Sequence, residues 1–111
     1  MSEQMGSEQR RFFRLYYPMH AACKVNTARG IFTLVEISQQ GIVYWDEDDV
    51  FLPGEPFAGV ATLHEGRNVS IEGFVLRRRD RCHVVVYLPE KGIPPEIIFQ
   101  EQRFVTRKSV R

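Results

Sequence analysis

The sequence predicts an all-β domain with one C-terminal helix, its six short strands forming a small antiparallel barrel or sandwich. Three observations carry this. Apolar and polar residues alternate in several short stretches, the period of a half-buried strand. Glycine, proline, asparagine and acidic clusters separate those stretches at close spacing, as turns do. Beyond Pro94 and Pro95 the apolar period lengthens to that of a helix. A chain of 111 residues is long enough for one domain with a real core, and too short for two.

The elements follow in order. The segment through residue 14 is polar and cationic, and reads as a flexible N-terminal arm, with the barrel and helix filling 15–111. Residues 19–25 alternate, with Met19, Ala21, Cys23 and Val25 on one face, and form the first strand. Asn26 and Gly30 supply turn chemistry. "IFTLVEIS" (31–38) is β-branched and aromatic, and "IVYW" (42–45) returns from it across "QQG". "DEDD" and "LPGEP" form a loop. Strands over 57–64, 69–78 and 82–88 complete the set. The helix runs over about 95–108. Ile97 and Ile98 recur as Phe104 and Val105 along one stripe, with Glu101 the polar interruption in it.

Composition excludes several classes. The formal net charge of +1 argues against bulk attraction to nucleic acid or an anionic membrane, so an anion site must come from local clustering. No apolar run approaches the ~20 residues of a membrane span. The polar start of the chain has no apolar signal core, so a cytoplasmic protein with two reduced thiols, Cys23 and Cys82, is expected. No metal site is expected, because His20, His64 and His83 lack ligand spacing. Ser38 has no evident base and Cys82 no matched partners, so the chain is not expected to be an enzyme. "DEDD" reads as a solvated loop rather than a calcium loop.

Three clusters remain. "RRFFR" puts Arg10, Arg11 and Arg14 beside aromatic rings, and a guanidinium grips phosphate or the guanine O6/N7 edge in two bonds. The same arm could equally be solvated and idle. In "RRRDR", Arg77 and Arg79 share a strand face. Arg77 is the better ligand candidate, while Arg79 and Arg81 read as a charged hairpin tip. In "EISQQG", Glu36 and Ser38 point to one face beside Gly41, which supplies either positive φ or room for a close approach. Alone, that stretch is an ordinary hairpin.

Taken together, an RxxxR (Arg10 to Arg14), then one strand pair, then an [D/N]xSxxG-like "EISQQG", then "GFVLR", strands and a helix resemble the PilZ domain family. The resemblance covers nearly the whole chain. It implies a six-stranded antiparallel barrel with a terminal helix, and binding of the bacterial second messenger cyclic di-GMP. It implies that Arg10 and Arg14, with Arg11 beside them, hold the ligand's phosphates and guanine acceptor edge. Ser38 would bond the ligand from the barrel rim. Gly41 would keep the turn open to a guanine. Glu36 would accept the guanine N1–H and N2–H₂, standing where the pattern has Asp or Asn and reaching one methylene farther. Arg77 would stack on or touch a base. The arm would fold over the ligand, and the new surface would signal to a downstream protein partner with no reaction and no cofactor. The alternative is a PilZ-like protein-interaction barrel that binds no nucleotide; a nucleic-acid-binding barrel is disfavoured by the near-neutral charge. A homodimer through Trp45, Tyr44 or the helix is left open.

Overall fold

A computed structural model describes residues 13–110. Seven strands, β1 (Leu15–Tyr16), β2 (Cys23–Thr27), β3 (Gly30–Ser38), β4 (Gly41–Trp45), β5 (Pro56–Thr62), β6 (Asn68–Arg78) and β7 (His83–Lys91), precede one helix, α1 (Pro95–Val110). β2 to β7 pair antiparallel in the order β3-β2-β5-β6-β7-β4, and β4 pairs back onto β3. Six strands thus close into a barrel, as the sequence predicts, and closure leaves none of the six with a free edge. β1 extends one seam, pairing with β3 where β2 has ended (Leu15 with Ile37, Tyr16 with Glu36).

The alternation that marks the strands is the alternation that fills the barrel. Val25, Leu34, Ile71, Val75, Val84, Val86 and Leu88 point inward and are essentially inaccessible. Each contributes on the order of 1.5–3 kcal/mol relative to exposure. Tyr44, Phe51 and Phe57 add an aromatic cluster, with Tyr44 and Phe57 stacked at 5.4 Å. A bulge between Leu34 and Glu36 changes the phase of β3. Leu34 and Ile37 both join the core, and Glu36 and Ser38 are turned to the outer face.

Three sequence expectations need correction. The strand expected over 19–25 is β2 and starts at Cys23, not Met19. Pro18 has no N–H to give a ladder, its carbonyl accepts Ala21 N at 2.9 Å, and residues Met19–Ala21 form a 3₁₀ turn that leaves Met19 exposed. The strand expected over 57–64 ends at Thr62, and His64–Gly66 form a second 3₁₀ turn. The acidic loop is not wholly solvated, because Asp46 is buried and accepts Asp48 N and Val50 N at 2.9 and 3.0 Å. Glu101, the interruption in the helix stripe, faces inward between Ile98 and Val105 and is completely inaccessible. It accepts Tyr17 OH at 2.6 Å and Arg67 Nη2 at 3.0 Å, which ties α1 to the chain after β1 and to the β5–β6 turn. Both cysteines are free thiols.

Candidate functional site

The outer face of β3, β4, β6 and β7 carries a groove of about 460 Å³, within the size range of small-molecule sites. Its floor comes from the outward set of the alternating strands, including Val43, Val85 and Tyr87. Its rim is polar, with Arg14, Glu36, Ser38, Gln40, Gly41, Arg77 and Arg79. Three arginines against one glutamate give that rim a formal charge of +2, more than the whole chain's +1.

Each rim residue has a local cause. The β1–β3 register, continued one residue back, sets Arg14 across from Ser38. The β3–β4 hairpin turns through Gln39 and Gln40, with Ser38 paired to Gly41. Ser38 Oγ donates to the Gly41 carbonyl at 3.2 Å. The turn is braced from behind, as Leu88 N donates to Gln40 O at 2.9 Å and Ile93 N to Gln39 O at 3.1 Å. Of the two roles open to Gly41, close approach is the one seen. Its φ is not positive, and a Cβ there would lie 3.2 Å from the Val86 carbonyl and 3.5 Å from Ser38 Oγ.

Arg77 and Arg79 both line the groove, while Arg78 turns away to Asp49, at 2.9 Å, and Asp46. The hairpin tip beyond them is fixed by Asp80, which accepts Cys82 N and His83 N at 2.9 Å. A hydrogen bond from His83, then one from Cys82 N, holds the Asp80 carboxyl down to about 2. Arg79 N donates to His83 O at 2.8 Å, so the tip aims Arg79.

Of the residues named from sequence, Arg14, Glu36, Ser38, Gly41 and Arg77 meet in this groove. Arg10 and Arg11 lie outside the described residues. Sequence reasoning set Arg79 aside as a hairpin-tip charge, yet its guanidinium stands over Glu36, with Nη1 3.4 Å from Oε1. The Glu36 side chain is only 8% exposed, so its carboxylate already has a cation beside it. The signal for Arg79 was present, since it lies two residues from Arg77 on one strand face. Tyr87 was also missed. It is half-exposed, packs edge-on against Phe74 at 5.6 Å, and offers a ring to the groove.

No protein-family model matches the chain, and no curated protein matches it. Among solved structures, the PilZ domain with c-di-GMP of YcgR from Escherichia coli superposes with a TM-score of 0.61. The match covers 89% of this chain and 90% of that one, at 17% sequence identity. The chain therefore has a PilZ-type fold.

Proposed function

We propose that the groove is a receptor site for cyclic di-GMP, which the protein binds without chemical change to signal to a partner protein. The observation that carries the reading is the convergence of Arg14, from the chain entering β1, with Ser38 and Gly41, from a different hairpin, on one groove. Further support comes from the rim charge of +2 against a dianionic ligand, from the ring of Tyr87, and from the PilZ-type fold. The YcgR domain of the same fold was solved with c-di-GMP.

The chemistry divides among the rim residues. Arg14, with Arg10 and Arg11 of the arm, grips phosphate and the guanine O6/N7 edge by charge-assisted forks. Ser38 bonds the ligand from the turn, and Gly41 adds no side chain in its way. Arg79 moves from Glu36 toward a phosphate, which frees the Glu36 carboxylate to accept guanine N1–H and N2–H₂. Arg77 and Tyr87 supply planes for a base to stack on. The arm with its ligand forms the surface that the partner reads. Such a receptor works in the cytoplasm, where the messenger is made.

Calorimetry and NMR titration with cyclic di-GMP test this. Saturable binding that weakens strongly in Arg10→Ala, Arg14→Ala and Ser38→Ala, and little in Arg81→Ala, is the expected result. Absence of both heat and shift changes at ~100 μM ligand, where a micromolar Kd must show, would leave a barrel that binds proteins and not nucleotide.

A further inference from the structure

The end of the barrel covered by α1 holds a polar cluster in which no residue of the groove takes part. At its centre is Glu101, with no exposed surface. Among the described residues, five donor atoms converge on its two oxygens. Tyr17 Oη at 2.6 Å, His64 Nδ1 at 2.9 Å and Cys23 Sγ at 3.7 Å face Oε1. His64 backbone N at 3.1 Å and Arg67 Nη2 at 3.0 Å face Oε2. A carboxylate offers about four lone-pair sites, so one proton donor is surplus. The surplus falls on Oε1, where the buried thiol stands off at hydrogen-bond distances that only sulfur permits.

The three side-chain atoms that crowd this oxygen are the atom types that bind zinc. Sγ of Cys23, Nδ1 of His64 and Oε1 of Glu101 form a triangle with edges of 3.5, 3.7 and 2.9 Å. A tetrahedral zinc, with sulfur at about 2.3 Å and nitrogen or oxygen at about 2.0–2.1 Å, holds its ligand atoms ~3.3–3.6 Å apart. The donors need move only a few tenths of an ångström. We propose that Cys23, His64 and Glu101 form a binding site for a zinc-like divalent cation, with a water as fourth ligand.

The surroundings fit that use. A thiolate and an imidazole select borderline cations over magnesium or calcium. The cation takes the place of the thiol proton, which leaves to solvent, and of the proton on His64 Nδ1, which His64 then carries on Nε2. Relief of the crowding at Oε1 follows directly. Arg67 and the His64 backbone N–H stay on Oε2 and fix the carboxylate. Phe104 stacks on the imidazole at 4.0 Å and 17°, which sets the ring plane. His64 is the way in, its side chain 15% exposed while the other two ligands are buried. The ligands come from β2, the turn after β5, and α1, so a bound cation would clamp the helix to the barrel.

The full-length, tag-free protein titrated with cobalt(II), then zinc(II), decides the matter. The expected result is one equivalent of cobalt with a thiolate-to-cobalt charge-transfer absorption, displaced by zinc, and a zinc-dependent rise in Tm. Cys82→Ser should keep the absorption and Cys23→Ser should lose it. Because Cys23 is a core residue, His64→Gln is the second variant, expected to weaken zinc binding at least about tenfold. No absorption and no zinc-dependent Tm change at ~100 μM metal would overturn the proposal. So would an absorption that survives Cys23→Ser and disappears in Cys82→Ser, or zinc binding unchanged in His64→Gln.

Discussion

Glu101→Ala should be among the most damaging single substitutions in this protein, and its cost can be worked from the geometry. Glu101 has no exposed surface, and Arg67, its cation at 3.0 Å, is 24% exposed at the side chain. Removing one partner of a buried ion pair costs about 3–5 kcal/mol. Arg67 can draw some water, which favours the lower end, ~3 kcal/mol. The Tyr17 hydroxyl, which burial and then the Glu101 bond push far above its ordinary pKa, loses its acceptor as well. That adds ~1 kcal/mol. A loss of about 4 kcal/mol in a domain stable by ~5–15 kcal/mol is a large fraction. At ~4 °C per kcal/mol, Tm falls by roughly 15 °C. Glu101→Gln keeps the shape and one acceptor oxygen, and should cost about half as much. Urea titration followed by circular dichroism, with metal removed by chelator, reads both. A Glu101→Ala protein within ~1 kcal/mol of the parent would refute the account of Glu101 as the hub between helix and barrel.

Other consequences can be measured on the same material. Arg79→Ala should weaken cyclic di-GMP binding at least about tenfold, or ~1.4 kcal/mol, because it removes a cation and leaves Glu36 unneutralised beside a dianion; Arg81→Ala should not, and equal effects in calorimetry would remove Arg79 from the site. Gly92→Ala should destabilise by about 1–3 kcal/mol, since a Cβ there runs into the Gln39 carbonyl; a urea midpoint equal to the parent's would show that this turn is not braced as described. In His83→Ala the Asp80 carboxyl should titrate nearer its ordinary 3.8 than its present value of about 2. A depressed folded pKa stabilises above the unfolded value and that contribution is lost as pH falls from 3.8 toward 2, so the parent should lose more stability than the variant over that window. Carboxyl-carbon NMR follows the titration directly, and an unmoved Asp80 would count against His83 as the main cause.

How much of this was legible in the sequence depends on how far each signal reaches along the chain. Period-two patterning acts between neighbours, so β3 to β7 could be found within a few residues of their ends, and the shared outer face of Glu36 and Ser38 could be read without knowing of the bulge beside them. Met19 deceived because a 3₁₀ turn after Pro18 preserves the inward aim of Ala21 while breaking the strand. Asp46 was misread, and the part played by Glu101 in the helix stripe could not be read, because a buried carboxylate looks like a solvated one until its donors are known. Arg67 lies 34 residues from Glu101, and Tyr17 lies 84. Arg79 was undervalued for the same reason, since its partner Glu36 is 43 residues away. The arginine-and-turn pattern was legible only as a whole, two local signals whose meaning came from their order.

The four residues from Arg14 to Tyr17, three steps of backbone, make a short mechanical route. One end borders the groove, and the other is fastened to the helix through Glu101. Extended chain covers ~3.3–3.6 Å per residue, so about 10 Å of backbone joins the two. A tug at the arm is therefore transmitted along a cable too brief to slacken, through the seam with β3 and on to the helix beyond it.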